Sequence, residues 1–256
     1  MKGDFTRWTF SREKHYSSVR MQQGRVQMDA DWNEQTDIAA HRIETEALDV
    51  IGRCGAPARD AGFRLFTDVS RLNADERRWL PATPLPALET GDFFILGGRY
   101  YVDGILVENE SAVLFSQQPD LPSEPLKEPG LYVAYLDVWR RHITALEDPS
   151  IREVALGGPD HGTRTKTVWQ LKTVRVQDRN ALQRANCGTD FEEYRAATAV
   201  PTGRMRARAK PEEDQTTPCV LPPGAGFRRL ENQLYCVEIH RSGGFGTAAF
   251  KWSREN

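Results

Sequence analysis

The chain has 256 residues, 39% of them hydrophobic, which is enough to bury the core of one large β-rich domain or of two smaller ones. Its 34 basic and 36 acidic side chains give a formal net charge of -2, which argues against a strongly basic nucleic-acid-binding protein and against an acidic solvating tail. No apolar run approaches the ~18–20 residues of a membrane span, and the first residues lack the apolar stretch of a signal peptide, so we expect a cytoplasmic protein without direct membrane insertion.

The first ten residues carry three large aromatic side chains, Phe5, Trp8 and Phe10, among polar and charged neighbours. Two interpretations stay open: a first strand that pairs into the main sheet, or an arm that docks on a partner, since aromatic and arginine side chains often anchor interfaces. Residues 14–27 are rich in hydrogen-bonding side chains and poor in core formers, so they form either a surface loop or an extended docking segment. On the docking interpretation, the contact residues are Phe5, Arg7, Trp8, Phe10, Tyr16, Arg20, Gln23, Arg25 and Trp32.

The next segment predicts an amphipathic helix from Asp29 to Ile51. Asp29 or Asp31 could cap its start, with Glu34 completing a capping-box pattern after Asp31, and Gly52 follows its end. The apolar stripe needs a covering surface, which either the β domain or an external scaffold could supply. The residues of this stripe recur at the helical spacings of three, four and seven, and they are Trp32, Ala39, Ile43, Ala47 and Val50.

Beyond Pro57 the patterns are typical of β structure. Asp103-Gly104 separates two short apolar runs and predicts a two-residue hairpin turn. The remaining predicted elements are a short helix at 75–80, a buried strand at 131–139, a long half-exposed strand at 165–176, an exposed strand at 205–209, and a hairpin of 234–239 with 247–252.

No helix–strand alternation of the kind that builds parallel α/β folds is present. The sequence therefore predicts a mainly β protein, in which an N-terminal arm and one amphipathic α-helix are followed by an antiparallel β-sandwich or barrel-like domain. The expected division is residues 1–57 for the docking arm plus helix, and residues 58–256 for the β domain. Because residues 251–256 still have strand-like sequence, we expect the β domain to continue in a longer chain.

The motifs support no enzyme class. No histidine has a metal-ligand spacing, and both the nucleophile elbow and the phosphate-binding loop motif are missing. Asp160 and His161 lie in a glycine-rich turn, and the paired acids Glu192–Glu193 and those of 212–214 resemble a solvated surface rather than a glycosidase pair. We therefore expect no catalytic residue, no cofactor and no metal site.

Four cysteines, Cys54, Cys187, Cys219 and Cys236, are too few and too scattered for a disulfide framework. Free buried thiols are the default expectation for a cytoplasmic protein. Cys187 and Cys219 could pair if the protein met an oxidant.

Long blocks of this sequence resemble an uncharacterised protein family that is encoded alongside phage-tail-like (extracellular) contractile injection systems. The resemblance covers nearly the whole chain, and the block 250–256 is generally internal in that family. The matching blocks are 1–7, 14–34, 135–139, 143–148, 153–160, 163–170, 230–235 and 250–256.

The resemblance implies a structural or accessory component near the baseplate of a contractile particle. Its partners would be baseplate or tail proteins, in multiple copies within a symmetric assembly, and not nucleic acid. The family supplies no catalytic residues to carry over. On this interpretation the protein assembles in the cytoplasm into the particle.

Two alternatives come from other classes. The first is a carbohydrate- or surface-binding β module of a phage-like particle, with Trp139, Trp169 and Trp252 as the binding platform, although their positions in strand patterns favour a core role. The second is a cell-wall hydrolase, for which the sequence offers no motif.

Overall fold

The computed structural model describes residues 5–159, 161–177, 189, 191–200, 202–205, 235–244 and 246–254. These residues divide into two compact units, one of Phe5–Ala199 and one that begins at Val200. The boundary that the sequence predicts after residue 57 stays a prediction. The predicted strand at 205–209, apart from Met205, lies outside the described residues, as do Asp160, Cys187, Cys219 and residues 212–214.

The chain is mainly β and its sheets are antiparallel, which confirms the predicted fold class. The helices are α1 (Asp29–Ile51), α2 (Ala74–Arg77) and α3 (Glu192–Thr198). The strands are β1 (Cys54–Gly55), β2 (Leu65–Phe66), β3 (Phe94–Ile95), β4 (Gly98–Val102), β5 (Ile105–Asn109), β6 (Val113–Leu114), β7 (Leu131–Ile143), β8 (Arg164–Val176), β9 (Tyr235–Arg241) and β10 (Ala249–Arg254).

The described strands form four small sheets. Two have three strands, in the orders β1-β4-β5 and β2-β3-β6, and two are ribbons, β7-β8 and β9-β10. The β9-β10 ribbon confirms the predicted hairpin and belongs to the second unit, where its register shifts between Ala249 and Phe250. Sheets of this size bury too little on their own, so the three sheets of the first unit depend on the packing between them.

The predicted hairpin turn joins β4 to β5 as expected. Asp103 and Gly104 have φ values of 46° and 83°, and Val102 pairs with Ile105 across the turn. Positive φ at both central positions is the type I′ geometry, which matches the right-handed twist of the flanking strands.

The β7-β8 ribbon pairs all 13 residues of each strand, from Leu131 with Val176 to Ile143 with Arg164. The sequence predicted a buried first strand, which is wrong, and a half-exposed second strand, which is confirmed over its whole length although its middle is buried. β7 is mostly half-buried, whereas Val168–Leu171 of β8 are four consecutive buried residues. The reason is that other segments cover the middle of β8 on both of its faces.

Two apolar clusters form the core of the first unit. One gathers Phe63, Ile95, Val107, Phe115, Trp169 and Leu171, so it joins the small sheets to the ribbon. The other gathers Phe66, Leu72, Phe94, Leu96, Ala112 and Leu114 beneath α2. The Trp169 indole N–H donates to the carbonyl of Glu108 at 3.0 Å, which attaches β8 to β5.

Gln118 pairs with the free edge of β8. Its side chain is 1% exposed, and its Nε2 donates to the carbonyl of Leu171 at 3.0 Å while its Oε1 accepts from the N–H of Leu171 at 2.6 Å. The same Nε2 also reaches the carbonyl of Phe115 and the hydroxyl of Ser123. One carboxamide therefore satisfies the backbone groups that a neighbouring strand would otherwise pair.

Helix α1 rests on the β4-β5 turn and on β7. A Cβ atom on Gly104 would lie 2.2 Å from the carbonyl oxygen of Glu44, so the turn touches the helix backbone directly. The Glu44 carboxylate forms an ion pair with Arg140 of β7. Burial raises the pKa of Asp37 on the same face, and the nearby Arg140 opposes that rise.

Cys54 differs from the expectation of free thiols. It is disulfide-bonded, and it lies in β1 immediately after α1.

We predict that Gly104→Ala destabilises the protein by at least about 2 kcal/mol, since the new methyl group meets both a left-handed backbone and the Glu44 carbonyl. Gly157→Ala is the matched control, because Gly157 has φ 87° and nothing within 4 Å of its Cβ position. The control should lose only about 1 kcal/mol. Urea unfolding measures both, and equal losses would show that the helix–turn contact is loose.

We also predict that Gln118→Leu lowers the free energy of unfolding by about 3 kcal/mol, because it leaves the backbone groups of Leu171 buried without partners. Gln117→Leu makes the same chemical change at an exposed neighbour and should have an effect within about 0.5 kcal/mol. Thermal and urea unfolding of the two variants would reveal a wrong assignment if their stabilities matched.

Candidate docking surface

Residues 5–28, here called the arm, form no strand. The segment has one 3-10 turn at Arg12–Lys14 and otherwise runs without regular structure to the start of α1. The interpretation of this segment as a first strand of the main sheet is therefore wrong. Three hydrogen-bonded positions instead attach the arm to its own helix.

Those attachments use hydroxyl and amide groups of the arm and polar side chains of α1. The Thr6 backbone N–H donates to Asp29 at 3.2 Å, and its hydroxyl donates to the same carboxylate. The Thr9 hydroxyl donates to Glu34 at 2.5 Å. The backbone N–H of Val19 donates to the side-chain oxygen of Gln35 at 2.8 Å.

These contacts overturn the predicted helix cap. The residue preceding α1 in the structure is Met28, and no side chain caps the helix. Asp29 and Glu34, which the sequence assigned to capping, bond to the arm instead. Because a carboxylate at the helix start can accept from any nearby donor, the local pattern alone did not distinguish a cap from a tether.

The Thr6 contacts also determine the charge state of Asp29. Hydrogen bonds from the Thr6 hydroxyl, and secondarily from its backbone N–H, lower the pKa of Asp29 below its ordinary value of 3.8. The ionised form is the one that accepts both hydrogen bonds. The tether therefore contributes fully above the unfolded-state pKa and is lost as the pH falls through the lowered one.

Two of the predicted docking residues are used inside the molecule. Phe5 lies edge-on to His142 of β7, with ring centroids 5.7 Å apart, and also edge-on to Trp8 at 5.8 Å. Phe10 packs against His41 of α1 at 5.7 Å. Both phenylalanines are half-buried, so they help to hold the arm in place.

The other seven predicted docking residues are exposed, namely Arg7, Trp8, Tyr16, Arg20, Gln23, Arg25 and Trp32. Lys14 lies over the Tyr16 ring, with 5.8 Å between its Nζ and the centroid. Within the described part of the chain, the guanidinium groups of Arg7, Arg20 and Arg25 form no ion pair. Aromatic and arginine side chains are thus presented to solvent together.

The apolar stripe of α1 also faces solvent, and the helix buries its other side. Trp32, Ile43 and Val50 are 65%, 66% and 80% exposed, whereas the buried residues of the helix are Ala30 and Ile38. The sequence located the stripe but left its covering surface open. The described part of the β domain does not supply it, because polar contacts through Glu44 and His41 orient the opposite face inward.

The arm and the outer face of α1 together are the candidate docking surface, called the docking surface below. Of the 24 exposed large hydrophobic side chains in the described chain, ten lie within residues 5–51. The arm carries five basic side chains and one acidic, a formal charge of +4, in a chain whose net charge is -2. Exposed apolar patches of this kind usually mark interaction sites.

The described residues show no arrangement typical of a catalytic or metal site. No three His, Cys, Asp or Glu side chains among them come together as metal ligands. Glu193, a candidate of the glycosidase idea, accepts a hydrogen bond from the backbone N–H of Gln177 at 3.2 Å. No helix in the described part of the chain has the length and apolar character that crossing a bilayer requires.

The three tryptophans named for a carbohydrate platform differ in exposure. Trp169 is buried in the core, which confirms the core role that its strand position favoured over the platform alternative. Trp139 is half-buried in β7, and Trp252 is exposed on β10 of the second unit.

Comparison with known proteins identifies a family but no characterised relative. A family model described as "Family of unknown function (DUF6519)" matches residues 1–190 and, in a second match, residues 177–256. No curated protein and no solved structure matches the chain. A functional conclusion therefore depends on the surfaces of the chain itself.

We predict that Asp29→Asn reduces the hydrogen-exchange protection of the Thr6 amide several-fold, because the neutral amide is a weaker acceptor. The Val19 amide, which bonds to uncharged Gln35, should be unaffected. Lowering the pH of the wild type through the lowered pKa of Asp29, which lies under the ordinary value of 3.8, should reproduce this selective loss at Thr6.

Asp31→Asn is the matched control, since no described residue hydrogen-bonds to the Asp31 side chain. Equal loss of protection at Thr6 in both variants would contradict the tether.

Proposed function

We propose that this chain, which belongs to the DUF6519 family of unknown function, is a non-enzymatic assembly protein that docks onto a larger particle through its arm and the outer face of α1. The observation that carries this proposal is the exposed Trp32–Ile43–Val50 stripe. A helix in a globular protein normally turns its apolar side toward the core. Here that side is directed outward, and none of the residues that the structure describes covers it.

The composition of the surface suits a protein interface. Tryptophan, tyrosine and arginine are the residues that most often dominate binding energy, and Trp8, Tyr16 and Trp32 are all exposed. Burying one large aromatic side chain is worth about 2–3 kcal/mol. Two or three such anchors exceed the ordering costs of the side chains themselves.

The charge of the surface indicates the chemistry of the partner. The arm has a formal charge of +4, whereas α1 has seven acidic side chains and one basic, a formal charge of -6. Opposite charges draw the arm to the helix, but the tethers use threonine hydroxyls, which leaves the arginines free. We infer that the partner presents carboxylates beside apolar pockets, because guanidinium groups bind carboxylates in bidentate geometry.

The tethered arm is also partly preorganised. Its hydrogen bonds at Thr6, Thr9 and Val19 restrict the chain before any partner binds. Restriction of this kind reduces the entropy that association would otherwise lose.

The particle that we propose is a phage-tail-like contractile injection system, and the site is near its baseplate. The support for this choice is the sequence resemblance of the blocks from residue 1 to residue 256. A symmetric particle repeats heterologous contacts between different surfaces of its subunits, and a surface that combines a basic arm with an exposed apolar stripe suits such contacts.

We predict that the double variant Trp32→Glu/Ile43→Glu is incorporated into the particle at least tenfold less than the wild type. Two apolar side chains that the partner would bury become charged. The measurement is quantitative co-sedimentation with particles from a producing strain in which the natural copy has been deleted. Both positions are solvent-exposed, so the melting temperature of the free protein should change little.

The matched control is Val154→Glu/Leu156→Glu, which changes two side chains that are 84% and 69% exposed in the loop between β7 and β8. It should join the particle normally. Normal incorporation of the helix variant, or an equal loss in both variants, would overturn the proposed surface. Absence of the wild-type protein from the particle would overturn the proposed setting.

A further inference from the structure

A polar cleft of about 480 Å³ lies apart from the residues of the docking surface. Its wall combines the loop at 60–62, the two residues after α2, and the facing strands β4 and β5. Volumes of about 300–1,000 Å³ are usual for small-molecule sites. The side chains at the cleft are those of Asp60, Arg78, Trp79, Arg99, Glu108, Asn109 and Glu110.

The back of the cleft depends on two glycines. A Cβ atom on Gly62 would lie 2.4 Å from the backbone of Gly98, so the two segments touch without side chains between them. The backbone N–H of Arg99 donates to the carbonyl of Asp60 at 2.8 Å, and that of Gly62 donates to the carbonyl of Arg99 at 3.0 Å. This contact brings Asp60 beside β4 although 39 positions separate it from Arg99.

Asp60 holds two arginines in place from a strained backbone conformation. Its φ is 66°, in the left-handed region that non-glycine residues rarely adopt. One carboxylate oxygen pairs with Arg78 and the other with Arg99, the latter at 2.9 Å. Strained residues that are held by their surroundings are concentrated at binding sites. Each guanidinium has five N–H donors, so both keep donors for a ligand.

The other wall of the cleft carries hydrogen-bond acceptors. Asn109 is 3% exposed and its Nδ2 donates to the carbonyl of Leu96 at 3.3 Å, but no described residue donates to its side-chain oxygen. The carboxylates of Glu108 and Glu110 are likewise unpaired within the described chain.

An aromatic ring completes the cleft. Trp79 is half-buried against the second core cluster, and the Arg78 guanidinium lies 5.7 Å from its ring centroid. Packing on the core on one side holds the indole in position. The part of the indole that lines the cleft is apolar and lies next to the planar guanidinium of Arg78.

We propose that this cleft binds a neutral saccharide. A sugar ring has an apolar C–H face for Trp79, and its hydroxyl groups both donate and accept hydrogen bonds. The donors pair with Asn109 and the two glutamates, and the acceptors pair with the arginines. Two arginines and three carboxylates give the cleft a formal charge of -1, which disfavours an acidic ligand. The inference does not depend on the docking role of the arm.

The test is isothermal titration of the full chain with glucose, galactose, mannose, N-acetylglucosamine, cellobiose and chitobiose. At least one sugar should bind with a Kd of about 1 mM or lower. The variant Glu108→Ala/Glu110→Ala removes exposed acceptors without disturbing the core, and it should raise that Kd at least tenfold. Trp79→Leu should do the same if the variant remains folded, and the glutamate variant decides the outcome if it does not.

Glu13→Ala/Glu89→Ala is the charge-matched control, because both side chains are exposed and neither lines the cleft; it should bind like the wild type. The proposal is overturned if no sugar binds at about 10 mM. It is also overturned if the glutamate variant binds as well as the control, or if inorganic phosphate binds and the sugars do not.

Discussion

The free edge of β8 is closed by one side chain, and the first unit depends on that closure. Gln118 supplies both a donor and an acceptor to Leu171, so the loop after β6 takes the place of a third strand in the ribbon. The buried segment Val168–Leu171 then reaches the small sheets through Trp169. Without this contact, the small sheets, whose strands have two to five residues, would lose their packing against the ribbon. Isolated sheets of that size are not stable in water.

The packing of the ribbon also determines how α1 is oriented. Arg140 of β7 attracts Glu44, and Gly104 of the hairpin turn lets the helix backbone approach closely. Both interactions engage the polar side of the helix. The apolar stripe is consequently directed away from the core, at an exposure that hydrophobic burial alone would oppose. An external partner would recover that burial, which is why the orientation of one helix supports an assembly role.

The arm and the cleft show two uses of polar side chains at a surface. On the arm, threonine hydroxyls and the Asp29 carboxylate satisfy one another and leave aromatic and arginine groups outward. In the cleft, Asp60 pairs with two arginines, while the carboxylates of Glu108 and Glu110 form no ion pair within the described chain. Polar groups that are hydrogen-bonded within the protein fix the shape of a surface. Polar groups without an internal partner determine what the surface can bind. The first surface suits a protein, the second a small hydroxyl-rich molecule.

Local sequence alone determined the elements whose signals lie within a few residues. The helix Asp29–Ile51, the Asp103-Gly104 turn and the final hairpin follow from periodicity and turn chemistry, which need no distant contact. Five exposed arm residues and Trp32 were also identifiable, because large aromatic and arginine side chains stand among polar neighbours. Tertiary structure decided the rest. Residues far apart in the chain decide which side of α1 faces inward and whether Asp29 caps the helix or tethers the arm. They also decide how deeply Trp169 is buried and where Asp60 meets Arg99. No local pattern encodes the approach of such distant residues.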